Sequence, residues 1–492
     1  MGEKYKKALV IGAGIGGIAA AIRLIIKGYE VDVFEKNSYA GGKLSEIRAN
    51  QYRFDAGPSL FTLPQLVDEL FELAGKNPTD YFSYEKLDII CKYHYEDGTV
   101  LNAYQDVKKF ADELASKTAI EKKQVHRFLQ HSKVLYDLTS DVFIFNSFHR
   151  IKTFYSKKFL RALAQFYKLK ATTTMHKDIC RYFNDHRVVQ LFDRYATYNG
   201  SNPYTAPGTL NVIPHLEHNV GAYFPGNGRY SITKSLVDLA KDVGVNFHFE
   251  AYVTKVKHSR KEIQGVVAND KDYPADVVVS DIDIVKLYSL LENVNIRKRY
   301  LKEEKSTSAL IFYWGVNRTH PELELHNILF SNNYQKEFEH LFKHKTVFED
   351  PTVYIFISSK KVPGDAPDGG ENWFVMINTP ENTDQDWDVI INDMRKRIQD
   401  KINRMLNIRI QDYIVTENII DPRIIESRTS SYHGSLYGSS SNNRFSAFTR
   451  HPNASGLIKG LYFVGGSVHP GGGIPLCLAS AKIVDDFMPG TK

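Results

Sequence analysis

Between the apolar run Lys7–Ile11 (KALVI) and the small-residue run 19–26, the chain reads Gly12-Ala13-Gly14-Ile15-Gly16-Gly17. A run that apolar suits a parallel strand buried on both faces, and a glycine turn opening directly into a helix is how such a strand begins a crossover. Gly12 permits the tight turn, Gly14 lets backbone approach a pyrophosphate, and Gly17 lets helix and strand pack closely. The helix start turns its positive dipole end toward the phosphates. A second strand, Glu30–Phe34 (EVDVF), leads into Glu35, eighteen residues beyond Gly17, where a carboxylate accepts hydrogen bonds from an adenosine ribose. Strand, turn, helix, second strand and terminal acid, in that order, predict an α/β dinucleotide site.

Composition sets the frame for that site. With 492 residues, 42% hydrophobic and 24% charged, the chain is expected to fold into a large globular protein of up to about three domains. A net charge of +6 is modest for this length and argues against a nucleic-acid partner. Cys91, Cys180 and Cys477 are far apart, odd in number and outside any zinc-binding spacing, so a reducing compartment and no structural metal are expected. The apolar stretch 8–22 is broken by glycines and is not read as a secretory signal, and no run reaches the roughly 20 apolar residues of a membrane span. A cytoplasmic chain, lying on a membrane without crossing it, is the expected location.

After Glu35 come Lys36, then Gly41-Gly42-Lys43-Leu44, then FDAGPSL with Gly57, Pro58, Ser59 and Leu60. These turn-rich segments suit an extended cofactor better than the repeated βα units of a simple nicotinamide dehydrogenase. Together with RYATYNGSNPYTAPG (194–208), GAYFPGNG (221–228), HGSLYG (433–438) and the closing VGGSVHPGGGIP (464–475), they resemble the bacterial-type carotenoid desaturases (phytoene desaturase family) of the flavin-containing amine oxidase superfamily. The resemblance runs almost end to end. It implies a Rossmann-like FAD-binding domain of the amine oxidase/glutathione reductase type, a second mixed-sheet substrate domain and a helical membrane-associating region. The cofactor domain would be discontinuous, over residues 1–80, 217–300 and 415–492, with 81–216 and 301–414 forming the substrate-binding and membrane-associating part.

FAD is long enough for distant parts of one chain to hold its two ends. The resemblance assigns to it Gly12, Ala13, Gly14, Gly16, Gly17, Glu35, Lys36, Gly42, Lys43, Leu44, Gly57, Pro58, Ser59 and Leu60 from the amino-terminal part. Val253 matches a valine that offers backbone bonds to adenine, and Leu436 lies in the HGSLYG segment. Gly466, Ser467, Gly473, Ile474 and Pro475 would take the flavin. Residues 460–464 read as a strand and 476–487 as a helix, so the bare turn between them lets backbone lie against a flat ring, with helix amides toward the edge that gains negative charge. Further strands are expected within 243–256, read as a pair, and at 263–268, 275–280, Ser308–Val316, 353–358 and 373–378, with a helix over Trp387–Leu406.

Residues 150–170, from Arg150 to Lys170, contain no acid; at helical spacing Phe159, Leu163 and Phe166 share one face, and Lys157, Arg161 and Lys168 the other. The pattern is that of an interfacial helix on an anionic membrane surface, with a helix docked on its own core as the bland alternative.

The chain most resembles the branch that introduces the 3,4 double bond into acyclic 1-hydroxycarotenoids, which implies hydride transfer to flavin N5, proton loss, and electrons leaving to quinone or oxygen. Phytoene desaturation, a soluble FAD amine or porphyrinogen oxidase, and a carotenoid isomerase are the alternatives. No catalytic base is assigned. His469 is the titratable candidate by motif, and shaping its turn is the preferred reading of it. Arg194 and Tyr198 are candidate substrate-lining residues, with core packing as the alternative.

Overall fold

In the computed structural model, which describes residues 6–57, 60–140, 144–146, 165 and 169–490, two large sheets meet across a cleft. The first is five-stranded and parallel, in the order Leu461–Phe463, Val277–Ser280, Lys7–Ile11, Glu30–Phe34, Asn246–His248. Helices Ile15–Ile26, Tyr230–Asp242 and Ile474–Asp485 cover one face, and a three-stranded antiparallel sheet, Val253–Ser259, Glu262–Ala268 and Lys271–Pro274, covers the other. Sandwiching on both faces explains the unbroken apolar runs of Lys7–Ile11 and Val277–Ser280.

The second sheet has seven strands in the order Ile414–Ile420, Ser308–Val316, Glu371–Thr379, Val353–Ile357, His326–Leu329, Ile89–His94, Val100–Tyr104, antiparallel except where His326–Leu329 meets Ile89–His94. All nine residues of Ser308–Val316 are buried. Leu310, Phe312 and Trp314 pack with Trp373 and Val375 beneath helix Trp387–Leu406, while Ile311 and Tyr313 join Phe374, Met376 and Phe356 on the opposite face. Cross-strand register pairs Ile311 with Met376 and Tyr313 with Phe374, which fixes that second face as one apolar wall.

Several expected elements differ from the observed ones. The helices after both glycine turns begin earlier than expected, at Ile15 and Ile474, because glycines that tolerate close packing lead straight into helical backbone. The stretch 243–256 forms two strands in different sheets, not a pair, because the chain leaves Asn246–His248 on the parallel sheet before Val253–Ser259 turns to Glu262–Ala268. Strand Ile414–Ile420 pairs with Ser308–Val316, so residues 415–420 lie in the second sheet and not with the cofactor segments. No helix among the described residues is long and apolar enough to cross a membrane. Apart from Gln165, Leu169 and Lys170, the basic segment 150–170 lies outside the described residues.

Two substitutions separate the buried and open positions of the second sheet. Phe312 is fully buried, so Phe312→Ala is expected to cost about 3–5 kcal/mol. Val415, 52% exposed on the edge strand, should tolerate Val415→Ala within about 0.5 kcal/mol. Urea unfolding midpoints of the two variants check the difference.

Candidate active site

The cleft opens along the carboxyl ends of the parallel strands and runs on to the second sheet. Its amino-terminal side is built by the turn after Lys7–Ile11. A Cβ at Gly17 would lie 2.2 Å from the carbonyl oxygen of Gly12, so only glycine lets the helix pack this close to its strand. Gly12, Gly14 and Gly16 line the cleft.

Glu35, buried at the end of the second strand, lies on the cleft wall with both carboxylate oxygens oriented. The Ala13 N–H donates to Oε2 (2.9 Å), and the Asn37 N–H and Nδ2 donate to Oε1 (2.9 and 2.7 Å). The Ala251 N–H donates to the Glu35 carbonyl at 2.9 Å, which brings Ala251, Tyr252 and Val253 to the same end. Lys36 donates to the Ser427 carbonyl (2.6 Å) and to Ser430 Oγ (2.9 Å). Lys43 donates to the carbonyls of Ser435 (3.1 Å) and Leu436 (2.6 Å), tying the Gly41–Leu44 turn to the later segment. Burial lowers the pKa of both lysines.

The far side is the second bare turn. Gly466, Ser467, Gly472, Gly473 and Ile474 line the cleft, and helix Ile474–Asp485 starts there without a side-chain cap, leaving its first amides toward the space. Gly473 has φ +110°, which a residue with a Cβ rarely adopts. Ile311, Phe374 and Met376 bring the apolar wall of the second sheet to the same cleft.

The structure thus places Gly12, Gly14, Gly16, Glu35, Lys36, Gly42, Lys43, Leu44, Gly57, Val253, Leu436, Gly466, Ser467, Gly473 and Ile474 along one cavity. Four other expected residues do not line it. Ala13 is buried with its amide on Glu35, Gly17 faces its own strand, Leu60 packs on the large core beneath the second sheet, and Pro475 sits in the first turn of its helix. Pro58 and Ser59 lie outside the described residues.

His469 is also off the cleft. Its ring Nε2 donates to the Asn146 carbonyl (2.9 Å), its backbone N–H donates to the His451 carbonyl (2.9 Å), and its own carbonyl accepts from Asn453 Nδ2 (2.7 Å), as suits a residue that shapes its turn. Arg194 and Tyr198 do not line the cleft either. The Arg194 guanidinium donates to the hydroxyls of Tyr93 (2.6 Å) and Tyr198 (2.9 Å), lies 3.7 Å from Glu217, and sits over the rings of Tyr93, Tyr195 and Tyr198. Glu217 accepts from the hydroxyls of Tyr195 (2.6 Å) and Tyr198. Sequence reasoning missed Asp281, Asp283, Cys477 and Tyr437 on the cleft wall. A usable signal existed for the first two, since VVVS-Asp281 ends a parallel strand beside the glycine turn.

A carboxylate at one end, two glycine-floored turns and a helix start at the other form a long cradle for a dinucleotide. The family model for flavin-containing amine oxidoreductases matches residues 15–484. The chain belongs to that family. Its cofactor is FAD, and the donors and bare turns described above fit that molecule. Among relatives of the family, the chain is 48% identical over 488 residues to a 1-hydroxycarotenoid 3,4-desaturase of Flavobacterium sp. (strain P99-3), covering 99% of this chain and 100% of that protein. It is 32% identical to a 4,4'-diapolycopene oxygenase of Methylomonas sp., covering 98% and 97%. Among solved structures, an oxidoreductase from Methanosarcina mazei shares the fold with a TM-score of 0.64 at 13% identity over 98% of this chain and 100% of that one. A redesigned putrescine oxidase does so at 0.63 and 12% over 98% of each.

Removing the oriented carboxylate should weaken cofactor binding. Glu35→Ala is expected to raise the Kd for FAD by about 10- to 100-fold, the loss of charge-assisted hydrogen bonds. Flavin fluorescence titration of apoprotein measures it.

Proposed function

We propose that this protein is an FAD-dependent desaturase that introduces the 3,4 double bond into an acyclic 1-hydroxycarotenoid. The observation that carries the reading is the apolar wall of Ile311, Phe374 and Met376 brought to the same cleft as the Gly472–Ile474 turn. Full-length similarity to the Flavobacterium desaturase supports the substrate class. A cationic amine would need a desolvated partner for its charge, and this wall offers none.

When bound, FAD supplies the hydride acceptor. The chain's own part is placement and exclusion. The sheet face gives an extended polyene a flat, apolar surface, and the close glycine turn lets one C–C bond approach the cofactor end of the cleft. An allylic carbon can lose hydride because the remaining positive charge spreads along the polyene, so a weak base or water suffices for the proton. Burial pushes the Cys477 thiol up to about 12, which keeps it neutral beside that turn.

We read the cofactor domain as discontinuous, with its last segment entering after Ile420. The acid-free segment 150–170 is read as the contact with an anionic lipid surface from which the substrate enters, and electrons leave to quinone or oxygen.

Incubating the holoenzyme with 1-hydroxycarotenoid in liposomes should yield a product lighter by two hydrogens with red-shifted absorption. An unchanged mass points to isomerisation, and an added oxygen points to the chemistry named for the Methylomonas relative. Stoichiometric oxygen consumption, or its replacement by added quinone, identifies the acceptor. Replacing Lys157, Arg161 and Lys168 together is expected to abolish sedimentation with anionic vesicles while sparing FAD binding; undiminished sedimentation would rule out that surface.

A further inference from the structure

The carboxyl group of Asp281 occupies an unusual place. It follows strand Val277–Ser280 and is wedged into the glycine cradle: a Cβ at Gly14 would lie 2.3 Å from its Oδ2, one at Gly16 2.7 Å from its Oδ1, and one at Gly465 2.3 Å from the same oxygen. The backbone N–H groups of Gly17 and Gly14 favour its charged form. These are amides of the turn that should receive the cofactor's pyrophosphate, and Asp281 faces the cleft. A permanent negative charge there would oppose the ligand the loop is shaped to hold.

The other ionisable groups around it do not remove that conflict. Glu35, from the end of the second strand, adds a second carboxyl; Lys43, from the Gly41–Leu44 turn, is the facing cation, but burial weakens its hold on its proton. Asp283, two residues on, caps helix Ile284–Tyr288 by accepting from the Val285 N–H (2.9 Å), and burial raises its pKa. Cys477, from helix Ile474–Asp485, is kept neutral. The Gly12–Gly17 and Gly465–Gly466 backbones contribute no titrating group.

We propose that Asp281 is a cofactor-positioning residue that binds in its neutral form, one oxygen accepting from the loop amides while its O–H donates to a pyrophosphate oxygen of FAD. The inference rests on FAD being the cofactor and is independent of which carotenoid is oxidised. Burial, the largest influence, together with Glu35 lifts the Asp281 pKa to about 7 against the pull of Lys43 and the glycine amides. Well below pH 7 the carboxyl already carries its proton, so FAD binding is independent of pH. Above pH 7 binding must take one proton from solvent, and affinity falls as pH rises.

Titrating apoprotein with FAD between pH 6 and 9, read by flavin fluorescence, tests this without turnover. Kd is expected to be flat up to pH 7 and then to rise about tenfold per pH unit. Asp281→Asn supplies a neutral donor of the same shape, and its affinity should be nearly level across the range. Lys43→Met should weaken binding at every pH but keep the rise, displaced to higher pH. A rise kept in D281N and lost in Lys43→Met would assign the proton to the lysine and overturn the proposal, as would a flat wild-type curve. Calorimetry of the wild type at pH 8, in buffers of different ionisation enthalpy, gives the proton count even if D281N fails to fold; uptake near one supports the proposal, and uptake near zero refutes it.

Discussion

At the carboxyl edge of the parallel sheet, the turns that follow Ile11, Ser280 and Val464 converge until backbone meets backbone. A Cβ at Gly17 would strike the carbonyl of Gly12, and one at Gly465 would strike the carboxyl of Asp281. The parallel register of Lys7–Ile11 between Glu30–Phe34 and Val277–Ser280 sets the height at which these turns emerge. The Val464 N–H, donating to the Ser280 carbonyl at 2.8 Å, brings the last turn to the same level. Only because these segments are stripped of side chains can a cleft of the required length run from Glu35 to Ile474.

The two ends of that cleft are physically opposite. Near Glu35 and Lys43, oriented hydrogen bonds hold Glu35, Lys36 and Lys43, which suits phosphate and ribose. Near Ile474 the walls are glycine backbone and the apolar face of the second sheet. Such a gradient would suit a cofactor with a polar body and a flat reactive ring against an oily substrate. It also explains why the second sheet is apolar on both faces: Phe312 and Trp314 serve the core beneath helix Trp387–Leu406, while their neighbours Ile311 and Tyr313 face the other way.

Much of this could be read in the chain. Lys7–Ile11, Glu30–Phe34, Ser308–Val316 and Trp387–Leu406 match their expected bounds because period and apolarity persist across each element. Glycine spacing placed both turns on the cleft, since the backbone approach they permit is local. What resisted reading depends on partners distant in sequence. Whether Ile414–Ile420 joins one sheet or the other depends on Ser308–Val316, about a hundred residues earlier. Asp281 is one aspartate among many until the fold sets Gly14, Gly16 and Gly465 around it.

The Arg194 guanidinium and the Asp281 carboxyl show how one physical rule separates scaffold from site. Arg194 meets two tyrosine hydroxyls, three ring faces and the Glu217 carboxylate, which in turn accepts two tyrosine hydroxyls. A charge satisfied on so many sides repays its desolvation only within that one arrangement, so it locks strand Ile89–His94 to the segment containing Glu217. Asp281 is packed against the Gly14, Gly16 and Gly465 backbone on one side and faces an open cleft on the other. A group left half-complete at the point where a cofactor's phosphates arrive has its remaining hydrogen-bonding capacity reserved for them, and this is why the cleft, and not the tyrosine cluster, is where binding and proton uptake are coupled in this protein.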